Sequence, residues 1–188
     1  MKNYFDRGLI NHRESTGFWL NEYGLLGHAV EVGVAKGNFS RTVLSQWKGA
    51  KYSMIDPHEA QDIEIYRETQ TNDWNTWKAE CLKICEEDKR AELITAYSPA
   101  VSDQFKMDSL DFCYIDGNHS YRAVMEDLDA WWPKVKIGGI MGGHDFMTNT
   151  DGGAWIEVDK AVERWTKEHG VIFYVTPCSS WWVHKVTP

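Results

Sequence analysis

His28-Ala29-Val30-Glu31-Val32-Gly33-Val34-Ala35-Lys36-Gly37-Asn38-Phe39-Ser40 is the stretch on which the fold turns. Its apolar run, His28 to Val34, predicts a buried strand, and Asn38 to Gln46 has helical spacing. Two glycines lie between. Gly33 lets the backbone approach a ligand without a Cβ, and Gly37 permits the tight turn into the helix. The spacing is E-x-G-x-x-x-G, not the G-x-G-x-x-G that cradles a pyrophosphate on a helix N-terminus. An acid at Glu31 would repel a phosphate, whereas it suits a cofactor carrying a ribose and an ammonium group. The plainer alternative is a glycine turn that only links strand to helix. Asp56, at the end of a predicted second strand Tyr52 to Ile55, favours the cofactor, because a carboxylate there can accept from ribose hydroxyls.

Outward from this loop, apolar runs alternate with helical patterns as βαβ units do. Helices are expected at Trp74 to Lys89, Tyr121 to Trp132 and Trp155 to His169, the last closed by Gly170. Strands are expected at Leu93 to Ala96, Phe112 to Ile115 and Gly138 to Gly142. Val171 to Val175 and Trp181 to Val186 follow, and the short link between them permits a hairpin. The expectation is an α/β, Rossmann-like doubly wound sheet, mostly parallel with an antiparallel last strand. It reads as one domain, 1–188, with a helical segment 1–27 covering the ligand and a core over 28–188.

A second cluster follows the later strands. Asp116-Gly117-Asn118-His119-Ser120-Tyr121 ends the fourth strand, and His144-Asp145-Phe146 follows the fifth. Both ends face the ligand crevice of an open α/β sheet. Asp116, His119, His144 and Asp145 thus converge as metal ligands or proton acceptors. Carboxylates suit a hard divalent ion, and imidazole suits softer ions or acts as a base. Alternatively, Asp116 and Asp145 only cap loops and the histidines are surface residues. His12, His28, His58, His169 and His184 have no comparable setting.

The 188 residues carry a net charge of −8, so the average field repels a phosphate backbone, and no Lys/Arg cluster offsets it. A small molecule is the better partner. No apolar run spans a bilayer and the first residues do not resemble a signal peptide, so a soluble, cytoplasmic protein is expected. The four cysteines lack zinc-knuckle spacing and read as reduced packing residues. Of ten tryptophans most should be core, with Trp181/Trp182 the first choice for a pair stacking on a ligand.

With Glu31 to Ser40, the segment IDGNHSYRAVMEDLDAWWPKVKIGGIMGGHDF (Ile115 to Phe146) resembles class I S-adenosylmethionine-dependent methyltransferases of the small-molecule O-methyltransferase type. It is similar to macrocin O-methyltransferases and related sugar methyltransferases, and to cephalosporin-hydroxylase-like proteins, from about Val30 to Val186. The string D-G-x-H-x-Y, a helix, then G-G-x-x-x-x-H-D carries the likeness. The resemblance implies the class I fold with its antiparallel last strand, and S-adenosylmethionine as cofactor. Glu31, Gly33 and Gly37, with Asn38 and Phe39 beside them, would hold its methionine part. Asp56 would hold the ribose, Ser98 would lie near the adenine, and Asp116 would border the cofactor. Asp116, His144 and Asp145 would bind magnesium. His119, with Asp116, would be catalytic, as the base that deprotonates a hydroxyl of a sugar or diol-like acceptor. The sugar enzymes tend to carry an acid where this chain has His144, which shifts preference toward manganese, iron or zinc or removes the metal.

Two other activities compete. A non-haem iron oxygenase would use Asp116, His119, His144 and Asp145 and have no need of Glu31 and Asp56. A nicotinamide dehydrogenase is opposed by the glycine spacing and the closing hairpin. A module that binds the cofactor without turnover is a further possibility. Acceptor specificity is expected in Met1 to Gly27, Glu59 to Asn75 and Met147 to Ala154.

Overall fold

The computed structural model describes residues 12–66, 73–149 and 155–186. Strand β1 (His28–Val32) pairs in parallel with β2 (Lys51–Ile55) on one side and β4 (Leu110–Ile115) on the other. Strand β3 (Ala91–Ile94) lies beyond β2, and β5 (Val135–Gly143) beyond β4. A hairpin of β8 (Phe173–Thr176) and β9 (Ser180–His184) closes the sheet, with β9 antiparallel to β5. The order β3-β2-β1-β4-β5-β9-β8 is the doubly wound arrangement with the antiparallel last strand that the sequence predicts. It reverses direction between β1 and β4, where such sheets open a ligand crevice.

Alternation along the strands divides the core. Ala29, Phe112, Tyr114 and Trp182 face helices α1 (Thr16–Glu22), α2 (Asn38–Gln46) and α4 (Trp74–Glu87). Val30, Cys113, Ile115 and Trp181 face α6 (Tyr121–Trp131) and α7 (Val158–His169). Two short helices, α3 (Ile63–Tyr66) and α5 (Ser98–Val101), follow β2 and β3. No helix among the described residues is long and apolar enough to cross a membrane.

Several boundaries differ from expectation. β1 stops at Val32 rather than Val34, because Gly33 enters the left-handed region (φ +79°) and turns the chain out of the ladder. β3 lies about two residues earlier than expected, and β5 begins at Val135 across an irregularity in its register with β4. The last helix starts at Val158, not Trp155. Ile156–Glu157 (β7) instead pairs with Thr148–Asn149 (β6) in a two-stranded ribbon beside the crevice. Of the N-terminal segment, the described part is helical from Arg13 to Glu22 apart from the junction of a 3-10 turn with α1. The parts of the expected specificity segments at 1–11, 67–72 and 150–154 lie outside the described residues.

Candidate active site

The first wall of the crevice forms where β1 and β2 end. Asp56 is nearly buried, and both its oxygens serve the backbone. Oδ2 accepts from the N–H groups of Val34 and Ala35, each at 2.9 Å, and Oδ1 accepts from His58 N–H at 2.7 Å. Ala35 and His58 are both left-handed, a conformation that a side chain disfavours and that these bonds hold in place. Asp56 therefore shapes the glycine loop, and any acceptance from a ribose hydroxyl adds to that work. Gly33 abuts the other side: a Cβ there would run into the carbonyl oxygen of Asp116. Gly37, also left-handed, delivers the chain into α2.

Glu31 points toward the α2 face and is 1% exposed. Its Oε2 accepts from Ser40 Oγ at 2.5 Å and Tyr52 Oη at 2.7 Å. Burial pushes its carboxyl up to about 8, against the pull of those two hydroxyls. Phe39 stacks on Tyr114 with ring centres 4.3 Å apart, whereas Asn38 is exposed at the mouth. Cys81, His58 and Asp56 fall in line, with Sγ 3.9 Å from Nε2. They are no nucleophilic triad, since burial pushes the Cys81 thiol up to about 12. Cys81 and His58 instead sit against the carbonyl of Ala35, under the loop.

A cavity runs from this loop past Trp74, Trp77 and Ser98 to Asp127. Ser98 lines it, but its Oγ accepts from Trp131 Nε1 at 2.6 Å. Asp127, nearly two turns into α6 and buried, has a carboxyl raised to about 7 by desolvation. A second lobe is lined by Arg13, Glu31, Asn38 and Phe39. Gly33, Trp77, Asp116 and His119 border both lobes, so they form one continuous cleft.

The second wall forms where β4 and β5 end. Asp116 N–H continues the ladder to Val32 carbonyl, and Asn118 and Ser120 fix the start of α6. His119 Nε2 lies 3.2 Å from Asp145 Oδ2 and 3.6 Å from Asp116 Oδ1. His144 Nδ1 lies 3.2 Å from Asp145 Oδ1. Contacts from His119 and then His144 hold the Asp145 carboxyl well below the usual carboxylate range. Asp145 itself is left-handed (φ +51°), which aims its carboxylate back between the two imidazoles. Donor atoms of Asp116, His144 and Asp145 all lie within 4.8 Å of one another. That two-oxygen, one-nitrogen set fits a divalent cation. The set meets competition from Arg13, whose Nη2 is 3.2 Å from Asp116 Oδ2.

The four residues of the second cluster thus meet as expected, and Glu31, Gly33, Phe39 and Asp116 border the same cleft as Asp56 and Ser98. The tryptophan pair expected to stack on a ligand does not reach it. Trp181 and Trp182 are fully buried on opposite faces of the sheet, because neighbours on a strand alternate sides. Trp74 and Trp77, three apart on α4, line the cavity instead, with rings 5.4 Å apart edge to face. Their helical spacing was legible; what they face was not. Arg13 and Asp127 carried no signal in the sequence.

A methyltransferase-domain family model matches residues 30–146, more than half of the chain, from β1 to the last residues of the second wall. Solved structures share the fold at low identity. The O-methyltransferase NovP superposes with a TM-score of 0.68 at 13% identity, over 93% of this chain and 78% of that one. A protein from Corynebacterium glutamicum gives 0.64 at 18% identity, over 97% and 86%. An S-adenosylmethionine-dependent methyltransferase from Aquifex aeolicus gives 0.56 at 12% identity, over 97% of each chain. No curated protein matches the sequence. Nothing among these supports an iron oxygenase. The chain belongs to the methyltransferase-domain family and has the fold of the S-adenosylmethionine-dependent methyltransferases.

Proposed function

We propose that this enzyme methylates a hydroxyl of a small sugar or diol-like molecule from S-adenosylmethionine, in the manner of the macrocin and related sugar O-methyltransferases. One observation carries the reading: the buried Glu31/Asp56 cradle and, from the second cluster, Asp116 and His119 line a single cleft, with Gly33 and Asp116 in contact at its centre. Bound S-adenosylmethionine supplies a methyl group already activated on a sulfonium. What remains for the protein is alignment and removal of one proton.

Gly33 and Gly37 bring the backbone of the loop against the cofactor, Glu31 receives its ammonium group, and Asp56 holds the loop beside the ribose. Phe39 and the Trp74/Trp77 pair wall off water. Ser98 supports the far end of the cavity through its bond to Trp131. His119 is the base that takes the acceptor's hydroxyl proton. Asp145 stabilises the resulting imidazolium at 3.2 Å and is a positioning residue. Asp116, His144 and Asp145 would hold a divalent cation, whose charge would acidify an acceptor hydroxyl.

Calorimetric titration with S-adenosylmethionine and S-adenosylhomocysteine, with and without magnesium, tests the first half of the reading. Stoichiometric binding, abolished in a Glu31→Ala/Asp56→Ala double variant, is expected. Failure of the wild-type protein to bind either compound would sink it. Labelled methyl transfer to a panel of sugars and catechols tests the second half, and product formed only on amines or thiols would overturn it.

A further inference from the structure

Arg13 lies outside the family match and belongs to none of the strands or helices that build the cleft, yet its side chain is only one-fifth exposed. It arrives from the 3-10 turn Arg13–Ser15 ahead of α1. Its Cζ sits 4.9 Å from the centre of the Phe39 ring and 5.5 Å from that of Tyr114. Two aromatic faces and the carboxylate of Asp116 thus seat the guanidinium in the lobe that also holds Glu31. A guanidinium carries five N–H donors in a planar fork, more than one oxygen of Asp116 can use. That fork matches a carboxylate bidentately, which an ammonium cannot do. The lobe therefore presents a cation and a buried acid side by side, the complement of an α-amino-acid zwitterion.

We propose that Arg13 receives the carboxylate of the cofactor's amino-acid end, while Glu31 receives its ammonium group. This rests on the S-adenosylmethionine reading of the cleft and adds to it a binding residue from the N-terminal segment. The consequence is that ligands lacking the carboxylate are discriminated against.

The test compares S-adenosylmethionine with its decarboxylated form, which keeps the ammonium group and the sulfonium. Wild-type protein is expected to prefer the intact cofactor by about ten- to a hundredfold, the range of one charge-assisted contact. Arg13→Ala is expected to bind both forms alike, with the decarboxylated form held as wild type holds it. Arg13→Lys should recover part of the preference, as a point charge without the fork. Thermal melting of both variants checks that they fold. If Arg13→Ala keeps the wild-type preference, or weakens both ligands equally, the inference falls while the cofactor reading stands. If wild type binds neither ligand, both fall together.

Discussion

The two walls of the cleft use their carboxylates in opposite ways. On the β1–β2 wall, Asp56 holds three backbone N–H groups and Glu31 two hydroxyls, and both are almost sealed from solvent. On the β4–β5 wall, the side chains of Asp116, His119, His144 and Asp145 keep about a fifth of their surface exposed and pair with one another and, at Asp116, with Arg13. The first arrangement fixes a shape before any ligand arrives. The second keeps exchangeable charges within reach of one. A carboxylate with both oxygens bonded to its own loop, as Asp56 has, can set a rigid shape.

Substitutions should separate the walls. The largest effect is expected for Asp56→Ala, which strips two buried N–H groups and one half-buried one of a charged acceptor and should cost about 3–5 kcal/mol in denaturant unfolding, with cofactor binding lost. An unchanged unfolding midpoint would mean that the loop holds its shape without Asp56. His119→Gln, on the other wall, should leave the midpoint within about 1 kcal/mol and cofactor affinity within a few-fold, yet lower turnover by about 10²–10⁴. Equal losses of binding and turnover would erase the division of labour.

Proton linkage sharpens the contrast further. Because burial raises Glu31 to about 8, the free protein carries it mostly protonated at pH 7. An ammonium group favours the ionised form, so cofactor binding at pH 7 should release close to one proton, and affinity should rise up to about tenfold per pH unit until pH 8. Calorimetry in buffers of different ionisation enthalpy reads this directly, and no proton release would remove Glu31 as the ammonium's partner. The same shift has a sign for stability: the folded form binds the proton more tightly than the unfolded chain, so this contribution is present below about pH 4.5 and is lost as pH rises toward 8. Asp145 runs the other way, with its carboxyl depressed. Its contribution is present above about pH 4 and fades as pH falls below that, and partial exposure limits it to about 1 kcal/mol. Wild type and Asp145→Asn should therefore converge in melting temperature on acidification, and parallel curves would count against the ion pairs.

Much of this was legible in the chain. The strand-loop-helix order from His28 to Ser40, the acids at strand ends and the closing hairpin follow from local pattern, because strand alternation, glycine freedom and helical spacing are properties of neighbouring residues. Asp116, His119, His144 and Asp145 could be grouped from sequence because two adjacent parallel strands must end on the same edge. The β6–β7 ribbon was not legible, since two-residue strands carry no periodicity.

The sequence by itself determined the doubly wound fold and the rim on which the polar residues stand. Tertiary structure alone decided what each polar group is bonded to: that Asp56 binds its own loop, that Ser98 is engaged by Trp131, that Trp181 and Trp182 are core while Trp74 and Trp77 line the cleft, and that Arg13 reaches Asp116. The physical reason is range. Backbone pattern is written in residues a few places apart, whereas burial, desolvation and charge pairing arise between groups brought together from far along the chain, as Arg13 and Asp116 are.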